Sequence, residues 1–535
     1  MLIVLNIFIS IADIGVLAFL LLVISFYINN AVATDLGFLP AWMLNPNSVT
    51  LISFFLVLFG LKNILGIFIS NRQYKFISRL TVRISQNKLE HYQQGEFEDF
   101  VNIDSSEHVR KIAFQPFDFC EHILLGIQQI VTQSFLILLT VVAILLYNAQ
   151  LFLLLLVILL PPVVLVFFFI KKKITAAKKN IYTSNENSFR FLFDALKGYV
   201  EGNIYQRNDF FLRRFTAARQ IFSKHLFNSQ SIQTMPTRII ETFAVLGLFI
   251  LVAIAKWSGV HDGATLITIG AFMAGAYKII PGIVKIINTS GQLRAHAFSI
   301  HNMIIEEKKS EEGQIKQPNP IYSLQLKDID FKYGDSIVLN NFSFSIEKGD
   351  FIGISGRSGK GKTTILNLLL GFLTPAGGKI LINDMPASRV DLKKYWPVIS
   401  YVRQQPFLIH DSILKNITLH ESQYEKKRLE QALEISGLKD LIDSTVEGLD
   451  KMIAENGKNI SGGQQQRICI ARALYKKDVK LVLLDEPFNE LDETSADLLV
   501  RHFKEMTSSG KIVIMITHDS KSLSYCNKII SLDEQ

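Results

Sequence analysis

A glycine-rich run in the second half of the chain, Gly356-Arg-Ser-Gly-Lys-Gly-Lys-Thr363, has the residue types and spacing of a phosphate-binding loop. The apolar segment 351–355 before it predicts a strand, and residues 364–370 after it predict a helix. Between these elements, glycines let backbone N–H groups curl around phosphate oxygens, and the helix N-terminus adds favourable partial charge. Lys362 can reach the terminal phosphates and the Thr363 hydroxyl can bind Mg²⁺, so the run predicts a nucleoside triphosphate site. Its predicted binding residues are Gly356, Arg357, Ser358, Gly359, Lys360, Gly361, Lys362, Thr363 and Thr364.

Two further motifs follow that suit phosphoryl transfer. Ser461-Gly-Gly-Gln464 opens a predicted helix, where a hydroxyl and backbone amides form a second anion site; a plain helix cap is the alternative. Four apolar residues at 481–484 predict a buried parallel strand that delivers Asp485 and Glu486 at its C-terminal end. Phosphoryl transfer requires metal neutralisation of charge and a positioned nucleophile, and two adjacent carboxylates suit those tasks.

The three motifs in this order resemble those of the ABC ATPases. The resemblance implies that the nucleotide is ATP, that Asp485 binds Mg²⁺ and that Glu486 polarises the attacking water. It also implies a dimer, in which the second anion site of one subunit reaches the γ-phosphate held by the other. Because one chain carries every motif, a homodimer with two competent sites is the simplest assembly, and a heterodimer is the alternative. The residues of the second anion site are Ser461, Gly462, Gly463 and Gln464.

Single residues at matching intervals extend this resemblance. Tyr333 matches the aromatic residue that stacks on adenine, and Gln404 matches the glutamine that senses Mg²⁺. His518 matches the switch histidine at a strand end. Glu455 and Asp492 match loops through which the two subunits communicate. The predicted catalytic residues are therefore Glu486, His518 and Gln404, and the predicted Mg²⁺ ligands are Thr363, Gln404 and Asp485.

Two stretches depart from the usual family pattern. Ile460 stands where most members have Leu, and we expect no loss from this apolar exchange. The run Glu486-Pro-Phe-Asn-Glu-Leu-Asp492 replaces the Glu-Ala-Thr-Ser-Ala-Leu-Asp that is usual in exporters. This second departure removes no catalytic group, but it leaves open the subfamily and the tuning of communication between the two sites.

The composition divides the chain into a membrane half and a soluble half. Mean hydropathy is +0.27, 39 residues are Phe, and the apolar residues concentrate before residue 300. Lys and Arg in cytoplasmic loops account for the net charge of +8, so we expect no nucleic-acid partner. Cys120, Cys469 and Cys526 have no metal-ligand spacing and are expected to be free thiols.

Several segments are long and apolar enough to cross a bilayer, which requires about 20 residues. The predicted spans are 3–29, 48–71, 120–147, 151–170, 237–257 and 264–290. The connections after the second and fourth spans are rich in Lys and Arg, whereas residues 30–47 and 148–150 have none. The positive-inside rule therefore predicts a multi-pass protein of the inner (plasma) membrane, with both termini and the ATPase domain in the cytoplasm.

We therefore predict an all-α transmembrane domain with six helices over residues 1–304 and a linker over 305–321. An α/β P-loop NTPase domain of the ABC ATPase type is predicted over 322–535. This layout resembles the six-span ABC exporters. That resemblance implies short coupling helices within 96–111 and 203–215 that dock onto the ATPase domain, and solvated hairpin tips are the alternative.

Charged residues inside the predicted spans are costly and usually face a cavity, so they point to the substrate. Lys62 in the second span and Lys278 and Lys285 in the sixth are the candidates. Asp13 and Glu121 are weaker ones, and snorkelling of the lysines to the cytoplasmic interface is the alternative. The spacing loosely resembles bacterial flippases for lipid-linked oligosaccharides, which implies an anionic pyrophosphate head group.

The expected function is ATP-driven export or flipping of a lipid-linked or amphipathic substrate by alternating access. A peptide exporter of the same fold is an alternative, although no peptidase domain precedes the first span. An ATP-gated channel or receptor is an alternative from another class, which ion conductance would distinguish. The predicted spans argue against a soluble ABC ATPase, and the order of membrane and ATPase domains argues against an importer.

Overall fold

The computed structural model describes most of the chain in long ranges, with a few single residues between them. These ranges are 2–28, 48–95, 105–147, 183–257, 263–304, 320–421 and 423–533. The chain divides into two compact units, one of residues 1–95 and 103–309 and one of residues 96–102 and 310–535. The predicted fourth span, 151–170, lies outside the described residues apart from isolated positions.

The first unit is helical, as expected for apolar runs that must satisfy their own backbone hydrogen bonds in a bilayer. Its helices are α1 (Leu2–Ile28), α2 (Thr50–Gln94), α3 (Ser105–Val109), α4 (Gln115–Asp118), α5 (Leu125–Tyr147), α6 (Tyr199–Ile204), α7 (Asn208–Trp257) and α8 (Gly263–Ile304). Residues 183–197 are helical as well. Two π-helical turns, Arg110–Phe114 and Phe119–Leu124, join α3, α4 and α5 around Pro116. Proline has no N–H to donate, which accounts for this local departure from α-helical bonding.

Three stretches of the described helices are long and apolar enough to cross a membrane, namely Val4–Ile24, Thr50–Gln94 and Glu107–Leu146. They overlap the first three predicted spans, and the second and third extend well beyond them. The predicted spans 237–257 and 264–290 lie within the continuous helices α7 and α8. Helix α2 continues well beyond the end of its predicted span, so the basic connection after that span begins as a helix.

Contacts between the helices of the first unit are close and apolar. Phe26 of α1 and Leu51 of α2 are buried in one cluster. Helix α8 packs along α5 at Gly282, where an added Cβ would lie 3.1 Å from Ile137 Cδ1. Small residues allow this kind of approach between membrane helices, which lack a hydrophobic driving force of their own in lipid.

The second unit contains two sheets. The antiparallel sheet has the order β2-β1-β4-β5 and is formed by β1 (Ser323–Tyr333), β2 (Ser336–Glu347), β4 (Gly377–Ile382) and β5 (Met385–Pro386). The parallel sheet has the order β6-β7-β8-β3-β9 and is formed by β3 (Phe351–Ser355), β6 (Ile399–Val402), β7 (Leu481–Asp485), β8 (Ile512–Ile516) and β9 (Lys528–Ser531). The helices are α9 (Lys362–Leu369), α10 (Arg389–Lys393), α11 (Ile413–Thr418), α12 (Lys426–Ile435), α13 (Lys439–Asp443), α14 (Gly462–Tyr475), α15 (Glu493–Ser508) and α16 (Ser520–Leu523).

The parallel sheet brings the predicted motifs to one edge. Strands β7 and β8 are buried along their whole length, as apolar strands covered on both faces must be. Because β7, β8 and β3 are adjacent and parallel, their carboxyl ends lie side by side. Gly356 follows β3, Glu486 follows β7 and His518 follows β8, so these residues converge.

One aromatic side chain links the first predicted coupling segment to the second unit. Phe97 stacks on Phe372, with ring centroids 4.7 Å apart and an angle of 18° between the rings. Phe372 in turn lies 5.4 Å from the ring of Trp396. Phe97 is accordingly part of the second unit. In the other predicted coupling segment, Tyr205 lies at the turn between α6 and α7 and is exposed.

Candidate nucleotide-binding and catalytic site

The phosphate-binding loop adopts backbone angles that only glycine adopts without strain. Gly361 has φ +90°, and a Cβ on it would lie 2.7 Å from Val338 Cγ1. Gly356 and Gly359 also have positive φ, of 147° and 84°. The loop therefore turns sharply into α9, whose first residue is Lys362. The exposed backbone of the loop is arranged as a phosphate cradle requires.

The Lys362 ammonium group is held within the loop. It donates to the carbonyl oxygen of Gly356 at 2.5 Å and to that of Arg357 at 3.1 Å. It also lies 3.0 Å from Nε2 of His518. An ammonium group only donates, so Nε2 of His518 accepts in this contact. These acceptors hold the Lys362 ammonium group inside the loop. Phosphate oxygens of a bound nucleotide can take the place of the acceptors.

Thr363 and Asp485 form the part of the site that fits a divalent cation. The Thr363 hydroxyl donates to Oδ2 of Asp485 at 3.1 Å. Asp485 is buried, and this burial raises the pKa of its carboxyl group. Among the described residues, no group of three or more His, Cys, Asp or Glu side chains forms a metal cage. One hydroxyl and one carboxylate nevertheless suit Mg²⁺, which commonly binds few protein ligands together with substrate phosphates.

Glu486 is fixed from several sides. Its Oε2 accepts hydrogen bonds from Gln404 Nε2 at 2.8 Å and from Asn489 Nδ2 at 2.7 Å. Its Oε1 lies 3.3 Å from His518 Nε2, which accepts from Lys362 and therefore does not donate to this oxygen. The backbone of Glu486 has φ +47°, a strained conformation for a residue with a Cβ, and its N–H donates to Ile516 O at 2.9 Å. Strain of this kind occurs where a side chain must be aimed at a functional site.

The structure thus brings together the residues that were predicted to act in catalysis. Glu486 contacts both Gln404 and His518, and Lys362 joins the group through His518. Asn489 belongs to the same group, although it is not among the residues predicted from the motifs. One feature of the sequence could have pointed to Asn489. It lies in the stretch that departs from the usual exporter pattern, at the position where that pattern has Ser.

The predicted second anion site is a capped helix start in this chain. Ser461 is the N-cap of α14, its hydroxyl accepts from Gln464 N at 3.3 Å, and Gln464 Oε1 accepts from Ser461 N at 3.1 Å. Gly462 and Gly463 pass close to Glu490: a Cβ on Gly462 would lie 2.7 Å from Glu490 Oε2. The capping geometry is therefore present, and binding of a second subunit's nucleotide stays a prediction.

The remaining predicted residues lie outside the contacts described above. Asp492 caps α15 and accepts from Ser495 N at 2.9 Å and Ser495 Oγ at 2.7 Å, and these bonds lower its pKa. Glu455 begins a short 3₁₀ turn and is exposed. Tyr333 ends β1, is 52% exposed and contacts Phe331 edge-on at 4.9 Å. All three are accessible to a nucleotide or a second subunit.

The helical unit contains a cluster of opposite charges. Lys62 of α2 pairs with Oδ1 of Asp13 on α1, and Lys278 of α8 lies 3.3 Å from Oδ2 of the same carboxylate. The three side chains are only 15–22% exposed. Two of the predicted substrate residues therefore meet through Asp13, which the sequence alone ranked as a weak candidate. Lys285 is exposed on α8, outside this cluster.

The comparisons with known proteins agree with this architecture. Residues 1–279 match the family described as the ABC transporter transmembrane region, and residues 339–489 match the family described as ABC transporter. The chain therefore belongs to the ABC transporter family and carries both regions in one polypeptide. In fold it is similar to a bacterial Atm1-family ABC exporter solved with ATP bound, with a TM-score of 0.77, 18% identity, and coverage of 100% of this chain and 92% of that chain. The predicted fold class is thus confirmed.

Several curated relatives are ATP-dependent lipid A-core flippases. The protein of Burkholderia orbicola (strain AU 1054) is 26% identical over 355 residues, which cover 65% of this chain and 59% of that protein. The protein of Saccharophagus degradans (strain 2-40) is 30% identical over 302 residues, which cover 56% of this chain and 51% of that protein. The chain thus spans little more than half the length of these relatives.

Proposed function

We propose that this chain is one subunit of an ATP-hydrolysing exporter or flippase that moves a lipid-linked or amphipathic substrate across the membrane. The observation that carries the proposal is the fixed carboxylate of Glu486 beside Lys362, Thr363 and Asp485, in a chain that also contains membrane-crossing helices. An ATP site without such helices is compatible with many soluble functions. The two features together favour hydrolysis coupled to transport.

In the proposed reaction, each residue has a distinct task. Lys362 exchanges the loop carbonyls of Gly356 and Arg357 for oxygens of the terminal phosphates. Thr363 and Asp485 supply oxygen ligands for Mg²⁺, which neutralises phosphate charge when bound. Glu486 orients the attacking water.

A second copy of the chain is the proposed partner. The start of α14 carries Ser461, Gly462 and Gly463 at a helix N-terminus, where backbone N–H groups and partial positive charge favour an anion. In the proposed dimer this helix start faces the γ-phosphate bound by the other copy, so that two ATP molecules are enclosed. A different partner chain in place of the second copy is the competing assembly, and mass measurement of the purified transporter separates the two.

The charge cluster supports an anionic substrate head group. Asp13 carries one negative charge, and Lys62 and Lys278 carry one positive charge each, so the cluster has a net charge of +1. Charged groups at membrane depth are retained where they serve a pathway or a ligand, and a phosphate would pair with the excess ammonium group. The names of the flippase relatives are consistent with a lipid substrate.

We further propose that the ATPase region lies in the cytoplasm below the inner membrane. The first residues of α2 beyond its predicted span include Arg72, Lys75 and Arg79, and no Lys or Arg occurs at 30–47. This asymmetry follows the positive-inside rule. Protease accessibility of the ATPase region in inverted membrane vesicles tests the orientation.

The test of the function is ATPase activity of the purified protein in lipid nanodiscs, with Glu486→Gln as the blank. Glu486→Gln is expected to bind ATP and lose nearly all turnover. One series adds lipid-pyrophosphate-linked saccharides and another adds amphipathic peptides. Stimulation by the lipid-linked saccharides alone supports a flippase, and stimulation by peptides alone supports a peptide exporter. ATP-dependent ion conductance in a planar bilayer without substrate stimulation would instead indicate a channel.

A further inference from the structure

A cavity of about 1070 Å³ lies in the helical unit between α1, α2 and the start of α5. Its walls differ in character: one is basic and the others are mostly apolar. The volume is at the upper end of the roughly 300–1,000 Å³ usual for small-molecule sites. The cavity can therefore hold a head group and part of an attached hydrocarbon chain.

The basic wall consists of Arg72, Lys75 and Arg79 of α2. Residues three and four apart lie on one face of a helix, so the three cations point the same way. All three are exposed, and among the described residues none of them forms a salt bridge. By contrast, Lys62 on the same helix is paired with Asp13. The cavity thus has three positive charges without a carboxylate to balance them.

The apolar walls come from three different helical segments. Leu5 of α1, Leu124 of the second π-helical turn and Ile127 of α5 also line the cavity. Phe68 and Phe76 of α2 add aromatic surface, and each is about half exposed. Exposed aromatic and aliphatic side chains beside unpaired cations suit a ligand that is anionic at one end and apolar at the other.

The cavity is distinct from the charge cluster around Asp13. Arg72 follows Lys62 by ten residues on the continuous helix α2, which corresponds to about 15 Å along the helix axis. Arg72 is also the first basic residue after the predicted span 48–71, at the level where lipid head groups meet the protein. The two sites can therefore be occupied independently.

We propose that this cavity binds an anionic phospholipid of the surrounding bilayer, with the phosphate among Arg72, Lys75 and Arg79 and the acyl chains against Leu5, Leu124 and Ile127. The proposal rests on the placement of α2 in a membrane but not on the identity of the transported substrate. An anionic lipid neutralises the basic wall, while the apolar walls are covered by its chains. A free phosphate would satisfy only the first of these requirements.

Native mass spectrometry of the full-length protein in detergent tests the proposal. Phosphatidylglycerol is titrated against phosphatidylcholine with the same acyl chains, and inorganic phosphate forms a third arm. We expect phosphatidylglycerol to bind more tightly than both. Equal binding of the two lipids, or binding of inorganic phosphate as tight as that of phosphatidylglycerol, would overturn the proposal.

Matched variants locate the site. The triple variant Arg72→Gln/Lys75→Gln/Arg79→Gln is expected to weaken phosphatidylglycerol binding on the order of 100-fold, at about 1 kcal/mol for each cation. The control is a triple variant that removes the same charges from α7: Arg219→Gln/Lys224→Gln/Arg238→Gln. Equal weakening in both variants would show that net charge, and not this cavity, attracts the lipid.

A second type of variant tests the apolar walls without changing charge. Ile127→Trp fills part of the cavity and is expected to weaken phosphatidylglycerol binding at least tenfold, while inorganic phosphate binding does not change. Unaltered lipid binding in Ile127→Trp would place the acyl chains elsewhere and contradict the proposed site. Because these measurements use no ATP, their failure would leave the proposed transport activity untouched.

Discussion

Asn489 donates a hydrogen bond of 2.7 Å to Oε2 of Glu486, three residues before it in the chain. Gln404 donates to the same oxygen at 2.8 Å, from a position 82 residues earlier. Two amide groups therefore hold one carboxylate oxygen, and the other oxygen lies 3.3 Å from His518. Asn489 is part of the departure from the usual exporter pattern, so this departure adds a positioning contact to the carboxylate that we propose to be catalytic.

Asn489→Ala is predicted to lower kcat for ATP hydrolysis by about tenfold, because the loss of one hydrogen bond to a charged group costs on the order of 1.5 kcal/mol. The KM for ATP should stay the same, since Asn489 contacts the carboxylate and not the phosphate-binding loop. Steady-state kinetics separate the two constants. In a Glu486→Gln background, Asn489→Ala should leave ATP affinity unchanged. A parallel rise in KM would argue for a general structural role instead.

Thr363→Val is predicted to raise the Mg²⁺ concentration needed for half-maximal ATPase activity, because the hydroxyl that faces Asp485 is lost. Thr363→Ser keeps the hydroxyl and should keep a dependence on Mg²⁺ close to that of the unmodified protein. The measurement is an Mg²⁺ titration of ATPase activity after removal of metal with a chelator. Equal Mg²⁺ requirements for the Val and Ser variants would exclude Thr363 as a ligand.

Gly361→Ala is predicted to lower the thermal unfolding midpoint of the second unit more than Gly359→Ala does. Both positions have positive φ, so each substitution carries a backbone cost of about 1–2 kcal/mol. At Gly361 the new Cβ would also lie 2.7 Å from Val338 Cγ1, whereas at Gly359 it would meet no atom within 4 Å. Differential scanning calorimetry compares the two variants. Equal shifts would mean that Val338 moves aside without cost.

Lys278→Ala is predicted to reduce the stimulation of ATPase activity by an anionic lipid-linked substrate. The substitution lowers the charge of the cluster around Asp13 from +1 to zero, which removes the charge available to the head group. Lys285→Ala is the matched control, since Lys285 lies on the same helix but outside the cluster. The ratio of stimulated to basal activity is measured for both. Equal ratios would place the head group elsewhere.

Phe97→Ala is predicted to weaken the dependence of ATPase activity on substrate. Phe97 stacks on Phe372 at 4.7 Å, so truncation removes an aromatic contact between the first predicted coupling segment and Phe372. Phe227→Ala on α7, where the side chain is 69% exposed, is the control. ATPase activity is measured against substrate concentration, which gives the concentration for half-maximal stimulation and the amplitude of the stimulation. Full stimulation in Phe97→Ala would show that this contact does not transmit the response.

The sequence alone determined the division of the chain and the chemistry of its ATP-binding region. The phosphate-binding run lies between a strand and a helix, as predicted, because glycine tolerance of positive φ and the periodicity of apolar residues are local properties. The first three spans could be predicted for the same reason, since hydropathy over about 20 residues depends only on neighbours in the chain.

Only the tertiary structure decided which distant residues meet. The contact of Gln404 with Glu486 depends on β6 lying beside β7, and that strand order is not encoded in any local pattern. Likewise, Asp13, Lys62 and Lys278 come from three helices whose facing sides depend on helix packing. The local sequence reveals that a charged residue lies within an apolar span, where burying the charge costs free energy. Which oppositely charged residue offsets that free energy depends on long-range helix packing.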